Sequence, residues 1–391
     1  MDFRLTPDQE LMRDTVRRLV AREIYPQIDK HDANQTLPKS VFLAIFGKLA
    51  EIGLTAARLP EAAGGPGITM LDYGIMFEEI PPALGLSLIA QEASVARLHA
   101  DCNDAQRRRF LPDLIKGRKI ACTGSTEPDT GSDPRGIKTR VTQQGHTLVL
   151  NGRKMWITNA SACDVIFVTC LDCREGASRD KVVKVVVERE HSPFEAREID
   201  TVGLRQGMLG EVVFDDCRVP VENLIESAAG GTEVLKSSWV INRPLFGLLA
   251  VHMAQRAYDI AIDYAKVRKQ FGKPIAAHQL IQKNLSDMVT AITSSRLLCY
   301  HALSLVDHGQ PAEGAAAMAK RYAQNACREA VWQAMNVLGA MGLSTEARVE
   351  ALYRDIRMVP IPDGTNEILA LIHGRELTGM EAFRGSRRAA K

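Results

Sequence analysis

The sequence has no unbroken apolar run of about 18 residues, the length that a membrane-spanning helix needs. It also has no excess of charge of either sign. Its 49 basic and 47 acidic residues leave a net charge of +2. That is too little for bulk attraction to nucleic acid or to a membrane surface. The local basic runs Arg107-Arg108-Arg109 and Arg384-Gly385-Ser386-Arg387-Arg388 read as solvated surface. No second cysteine pair accompanies Cys170 and Cys173, the only CxxC among eight scattered cysteines. A lone CxxC lacks the ligands of a structural zinc site, so no metal is expected. The pair reads instead as two half-buried thiols at a strand end. Eight thiols without a framework fit a reducing compartment. The start, Met1-Asp2-Phe3-Arg4, has no apolar signal core, and a cytoplasmic protein is expected. Internal repeats and low-complexity segments are also missing.

What is present is an ordinary globular composition, 46% hydrophobic and 25% charged, over 391 residues. That length suits two or three packed domains. Residues 6 to about 115 have helical spacing. Thr6-Pro7-Asp8-Gln9 supplies a cap, a proline at the first helical position and a glutamine three residues after the cap. The apolar positions from Val41 to Ile52 stop at Gly53, and a second helical run covers Leu71 to Ile80 before Pro81-Pro82. The loop Leu59-Pro60-Glu61-Ala62-Ala63-Gly64-Gly65-Pro66-Gly67 separates them. Near residue 118 the period shortens. Thr147 to Leu150 runs into Asn151-Gly152, a hairpin turn signal. Val165–Val168, Val182–Val187 and Glu211–Pro220 are rich in β-branched residues. From Gly230 to about Gly379 long helical stretches return, including Phe246–Lys269 and Ile281–Val306. The expected fold class is α+β, with helical residues 1–117, a compact β unit at 118–228 and helical residues 229–391.

Four segments carry chemistry. Arg354-Asp355-Ile356-Arg357 ends a helix, and Asp363-Gly364-Thr365-Asn366-Glu367-Ile368 makes a turn and starts another. Asp-Gly favours a tight turn, and Thr365 is a cap residue. The Asp363 carboxylate is thereby set on a short loop, where a base could face a ligand. Thr126-Glu127-Pro128-Asp129-Thr130-Gly131-Ser132-Asp133 is a hydroxyl-rich loop whose free amides suit the polar groups of a cofactor or substrate, or equally a plain surface loop. In Lys154-Met155-Trp156-Ile157-Thr158-Asn159, strand alternation puts Trp156 and Thr158 on one face. A helix bearing Tyr264 and Arg268 breaks at Gln270-Phe271-Gly272-Lys273-Pro274, followed by His278-Gln279. Arginine and glutamine there suit phosphate and sugar recognition, or the arginine simply meets the helix dipole.

In this order and spacing, the four segments resemble the acyl-CoA dehydrogenase family of flavoproteins. The resemblance covers residues 60 to 375 and implies an N-terminal helical domain, a middle β-barrel and a C-terminal four-helix bundle. It implies FAD as cofactor and an acyl-CoA thioester as substrate. It makes Asp363 the base that takes the α-proton while the β-hydride leaves for flavin N5, giving an enoyl-CoA. Most of the family has Glu at this position. Arg243, in Asn242-Arg243-Pro244, would hold the carboxylate ionised and oriented. Relatives that carry their base on that helix have an acid where Asn242 stands, which leaves Asp363 as the family-position base. Ser125, Thr126, Gly131 and Ser132 would touch FAD, with Ser132 also near the pantetheine arm. Trp156 would flank the isoalloxazine ring and Thr158 would bond near N5. Arg268, Phe271 and Gln279 would reach the FAD of a neighbouring subunit, which implies a homotetramer. Asn336 and Gly339, in Asn336-Val337-Leu338-Gly339-Ala340-Met341-Gly342, would lie near the adenosine half. Thr365 and Glu367 complete the implied cofactor contacts. Ser132, Glu92, Asn242 and Gly364 are the implied substrate contacts.

Aspartate is one methylene shorter than glutamate, about 1.5 Å of reach, and a misplacement of that order costs ~10²-fold in a positioned reaction. A substrate whose α-carbon sits differently, in a ring or at a branch, would close the gap. Among relatives, cyclohexanecarboxyl-CoA dehydrogenases and nitroalkane oxidases use Asp. Glu92, an acid within an apolar helical run, reads first as solvent-facing. The alternative is a second acid that takes a proton from a distant ring carbon, giving 1,4- rather than 1,2-dehydrogenation. Electron-transfer flavoprotein is the implied acceptor. Two rivals stay open: a nitroalkane-oxidase-like flavoenzyme, and a non-catalytic acyl-CoA-binding flavoprotein.

Overall fold

The computed structural model of the chain describes residues 3–133, 136–178, 181–225 and 233–382. The basic run from Arg384 lies outside the described residues.

The N-terminal part is helical: α1 (Pro7–Leu19), α2 (Tyr25–Ile28), α3 (Lys39–Glu51), α4 (Met70–Phe77), α5 (Pro82–Asp101) and α6 (Asp104–Ile115). Thr6 and Gln9 close the expected capping box at the start of α1, with Gln9 N donating to Thr6 Oγ1 at 3.2 Å and Thr6 N to Gln9 Oε1 at 3.1 Å. Gly53 ends α3 in the left-handed region. The helix α5 is buried along most of its length, which explains its weakly amphipathic sequence: it is enclosed by other elements instead of lying on a surface.

The middle part is one eight-stranded sheet. Its strands are β1 (Ala121–Gly124), β2 (Arg140–Gln144), β3 (Thr147–Thr158), β4 (Val165–Asp172), β5 (Val182–Glu188), β6 (Glu195–Glu198), β7 (Leu209–Pro220) and β8 (Leu224–Ile225), in the order β6-β7-β3-β2-β4-β5-β8 with β1 beside β4. The hairpin expected at Asn151-Gly152 does not form there. The β2–β3 turn is at Gly145-His146, and Asn151-Gly152 lies inside β3 at a bulge against β7. Gly152 is needed for a different reason: a Cβ on it would come within 2.5 Å of Thr139 Oγ1.

The chain then returns to helices α7 (Glu233–Val267), α8 (Gln279–Asp307), α9 (Glu313–Leu338), α10 (Val349–Ile356) and α11 (Asn366–Thr378). Alanines along one face of α9, including Ala316, Ala319, Ala323 and Ala330, are buried and let it pack closely on α7 and α8. Between α7 and α8 the chain makes a short hairpin of β9 (Lys269–Gln270) and β10 (Lys273–Pro274), turned by Phe271 and Gly272, both at positive φ. The parts are tied together by polar contacts. Asp307, at the end of α8, accepts from the amides of Met70 and Leu71 at 2.6 and 2.9 Å, capping α4. Half-buried Asp355 of α10 accepts from Leu204 N in the middle part at 2.6 Å. No described helix is long and apolar enough to cross a membrane.

Candidate active site

The segment 357–365 joins α10 to α11 and turns at Asp363 (φ 52°) and Gly364 (φ 107°). Aspartate is among the few side chains that enter the left-handed region readily. Thr365 caps α11 by accepting from Ile368 N. Beneath the turn lies Lys320 of α9, fully buried. Its Nζ donates to the main-chain carbonyls on both sides of Asp363, those of Pro362 and, at 2.8 Å, Gly364. Burial pulls its pKa down to about 7 against the pull of the Asp363 charge.

The Asp363 carboxylate accepts from Asn242 Nδ2 at 2.6 Å. Asn242 Oδ1 in turn accepts from Arg58 Nη2 at 2.7 Å. Arginine can only donate, so the amide oxygen must face Arg58 and the NH2 must face Asp363. Arg243, expected against the carboxylate, instead donates from Nε to the Asp363 main-chain carbonyl at 3.3 Å. Its charge still feels Asp363, although burial lowers its pKa.

Glu92 is not on a solvent face. It is 0% exposed. One oxygen accepts from Arg58 N at 2.9 Å, and the other pairs with the Arg58 guanidinium. Burial raises the Glu92 pKa to about 7, with Arg58 pulling it the other way. An acid in an apolar run is thus buried because a cation from the 54–60 turn meets it. Arg97 of α5, also buried, donates from Nε to Ser238 Oγ of α7 at 3.2 Å. Ser238 and Asn242 are one helical turn apart on the same face of α7. Tyr73 of α4 is fully buried beside this group, and the Glu92 charge raises its pKa further after burial.

A second region surrounds the sheet. Glu127 anchors the loop 125–133: it accepts from Lys138 N at 2.7 Å, Thr139 N at 2.9 Å and Lys154 Nζ at 2.8 Å. Burial would raise its pKa, but the bonds from Lys154 and Thr139 win and lower it. The loop turns tightly, with Glu127 N donating to Thr130 O at 2.9 Å and Thr130 N to Glu127 O at 3.1 Å. Ser125 and Thr126 are half-buried, and Gly131 and Ser132 are exposed. Next to the loop, β3 bulges between Lys154 and Ile157. Trp156 sits in this bulge at φ 62° and is 52% exposed. The bulge breaks the regular register there, yet burial still alternates as the one-face reading expects, with Trp156 exposed, Ile157 buried and Thr158 half-buried. The Trp156 side chain is thus a large aromatic held outward in a costly backbone region. Arg268, Phe271 and Gln279 are all exposed at the far end of α7, Phe271 at 94%. Asn336, Gly339 and Glu367 are exposed as well. Cys170 is buried and Cys173 exposed, both unpaired, so neither is half-buried as expected. The described residues hold no cluster of metal ligands.

Residues 6–118, 122–217 and 229–378 match the acyl-CoA dehydrogenase N-terminal, middle and C-terminal domains. The chain belongs to the acyl-CoA dehydrogenase family. It is similar to the cyclohex-1-ene-1-carbonyl-CoA dehydrogenase of Geobacter metallireducens, 33% identical over 95% of this chain and 98% of the relative. It is equally similar, at 33%, to the benzylmalonyl-CoA dehydrogenase of Aromatoleum aromaticum, over 97% of this chain and 100% of the relative. The fold superposes on a glutaryl-CoA dehydrogenase of Mycobacterium smegmatis in complex with FADH2, with a TM-score of 0.89 at 26% identity over 97% of each chain.

An acyl-CoA dehydrogenase is an FAD-dependent oxidoreductase acting on acyl-CoA thioesters, and the residues present fit that cofactor. The outward Trp156, the hydroxyls of Ser125 and Thr158 and the open loop amides form an aromatic and polar ledge. Of the expected site residues, the fold gathers Asp363, Gly364, Asn242, Arg243 and Glu92 into one chain of contacts with Arg58. It places Trp156 and Thr158 at the end of β3, Ser125 and Thr126 in the loop after β1, and Arg268, Phe271 and Gln279 exposed where α7 passes into α8. Sequence reasoning missed Lys320, Arg58 and Arg97. Their only signal was a cation at a position where the helical pattern or a turn also allows solvent.

Proposed function

We propose that Asp363 is the base of this acyl-CoA dehydrogenase, taking the α-proton of a compact acyl thioester. The observation that carries the proposal is the hydrogen-bonded order Arg58–Asn242–Asp363, on a turn fixed from below by Lys320. It gives the short acid one position, which a positioned proton transfer requires. When bound, FAD supplies the acceptor for the hydride that leaves the β-carbon. The remaining work belongs to the chain. Trp156 offers the cofactor a flat neighbour, Ser125, Thr126, Gly131, Ser132 and Thr158 offer it hydrogen bonds, and the Asp363 amide offers a donor to the thioester carbonyl.

A ring or branch at the α-carbon suits the reduced reach of Asp363, and a relative named for cyclohex-1-ene-1-carbonyl-CoA supports that preference. Glu92 serves as counter-charge to Arg58. Both its oxygens face that residue, which favours this role over a second proton transfer. Exposed Phe271, Arg268 and Gln279 complete the FAD site of a neighbouring protomer in a homotetramer, and Asn336, Gly339, Thr365 and Glu367 serve the same cofactor. Electron-transfer flavoprotein takes the electrons onward. Eight free thiols suit a reducing compartment and support a cytoplasmic enzyme.

The test is anaerobic bleaching of the bound flavin by linear, branched and cyclic acyl-CoAs. Rapid bleaching by a cyclic or branched thioester, lost in Asp363→Asn, is expected. Bleaching that survives in Asp363→Asn would remove the proposed base.

A further inference from the structure

Asparagine is an ambiguous neighbour for a base. Its amide has two ends of nearly the same shape, an NH2 that donates and an oxygen that accepts. Asn242 is buried, so bulk water does not choose between them. With its NH2 toward Asp363, at 2.6 Å, the amide favours the carboxylate, the form that takes a proton. Turned over, it would set its oxygen against the carboxylate and would accept only from the protonated acid. Three cations feel the Asp363 charge: Arg97 of α5, Arg243 of α7 and Lys320 of α9. Their described bonds run to Ser238 and to main-chain carbonyls of residues 362–364, so none of them sets the Asn242 amide.

What sets it comes from the other side. Arg58 Nη2 donates to Asn242 Oδ1 at 2.7 Å. A guanidinium offers donors only and keeps its proton, so it never rewards the turned-over amide. Arg58 lies on the 54–60 turn, and Glu92 of α5 holds it twice. One Glu92 oxygen accepts from Arg58 N at 2.9 Å, and the other meets Nε. The acid is fully buried, and it fixes the main chain and the guanidinium together. Tyr73 of α4, buried beside the pair, stays a neutral phenol because burial and the Glu92 charge both raise its pKa. A buried ion pair gains a fold little over apolar side chains of the same volume, so stability does not account for this one.

We propose that Arg58, held by Glu92, is a positioning residue for proton abstraction: it locks the Asn242 amide so that Asp363 always meets a donor. This rests on Asp363 being the base and adds what keeps that base in its reactive form. The order Glu92–Arg58–Asn242–Asp363 runs acid, cation, amide, acid, with each member fixing the next. Because the pair reaches Asp363 only through Asn242, it acts on the rate of proton abstraction and not on thioester affinity.

The experiment replaces the pair as a unit, Arg58→Met with Glu92→Gln, so that no buried charge is stranded. FAD-loaded enzyme is mixed anaerobically with butanoyl-CoA and with cyclohexanecarbonyl-CoA in a stopped-flow at about pH 8. That is above the value of about 7 to which burial raises the Glu92 pKa, so the wild-type pair is charged. The concentration dependence separates the limiting reduction rate from the thioester dissociation constant. The replacement should slow the limiting rate ten- to hundred-fold, the size of one charge-assisted hydrogen bond, and leave the dissociation constant within about two-fold. Repeated in Asn242→Ala, where no amide is left to turn, it should slow the enzyme by no more than a further two-fold or about that. Arg58→Lys keeps a donor and the charge, so it should recover part of the rate. Its remaining slowing should likewise vanish in Asn242→Ala, which keeps the test open if the pair replacement does not fold. An unchanged limiting rate with Asn242 in place overturns the proposal. So does an equal slowing in both backgrounds, or a matching loss of affinity, since either marks a pair that only shapes the pocket. Reduction lost in Asp363→Asn yet indifferent to the pair overturns this inference alone. Reduction by no thioester, or reduction that survives in Asp363→Asn, overturns the base and this inference with it.

Discussion

Replacing Lys320 with methionine separates positioning from stability. The wild-type amine is buried and bonded to the carbonyls of Pro362 and Gly364, one on each side of Asp363. Losing it orphans two carbonyls, at about 1–3 kcal/mol each. The same change removes a buried cation. Its pKa falls from 10.5 to about 7, largely through burial. At pH 7 the folded amine is half protonated, and keeping it there costs the fold on the order of 4 kcal/mol, at 1.36 kcal/mol per unit over roughly three units. The two effects nearly cancel, so Lys320→Met should change stability at pH 7 by no more than about 2 kcal/mol. Activity should not be spared. With its two struts gone, the Asp363 turn loses its fixed height over the substrate, and the flavin-reduction rate should fall by ~10²-fold. The pH dependence has a definite sign. A lysine whose folded pKa is depressed burdens the fold while protonated, and the burden lifts as pH rises from about 7 towards 10.5. Wild type should therefore gain on the variant, by about 2 kcal/mol between pH 7 and 9. Denaturant titration at the two pH values and anaerobic stopped-flow reduction measure both halves. An unchanged reduction rate would refute the positioning argument. A wild type that gains nothing on the variant between pH 7 and 9 would refute the burial argument.

Asn242→Ala removes the donor to the Asp363 carboxylate and should slow flavin reduction ten- to hundred-fold, while leaving Arg58 Nη2 without its acceptor should cost about 1–3 kcal/mol of stability; a variant as fast as wild type would show that the carboxylate needs no such bond. Glu127→Gln leaves Lys154 charged and buried without its partner, and urea titration should register a loss of about 3–5 kcal/mol together with weaker FAD retention. A loss below about 1 kcal/mol would mean that the pair does not hold the 125–133 loop. Phe271→Ala should alter the stability of the isolated fold by no more than about 0.5 kcal/mol, as expected for a side chain that is 94% exposed and meets only the edge of the His278 ring among the described residues. On the proposed shared site, in which the ring would serve a neighbouring protomer, it should nevertheless release FAD on gel filtration; full FAD retention would count against that site.

The architecture was legible because each element carries its own signal. Thr6 and Gln9 name a helix start by themselves, β-branched runs name β4 and β5, and Asp363-Gly364-Thr365 names a turn followed by a cap. Some of these local signals were right about the backbone and wrong about its use. Gly152 does need a special backbone, yet the reason is Thr139 packed against it rather than a hairpin reversal. Trp156 keeps the outward face that alternation expects, but on a bulged backbone at positive φ that no alternation pattern announces. The buried charges were the least legible part, for a physical reason. Glu92 is buried only because Arg58 arrives from 34 residues earlier, and Arg58 reaches Asn242 across 184 residues of sequence. Lys320 is buried because the 357–365 loop folds over it. Periodicity reads one segment at a time, and within one segment a charged side chain is most cheaply explained by water. Its burial depends on a partner that the segment does not contain, so the groups that position Asp363 appear only once the fold has brought α5, α7, α9 and two loops to the same place.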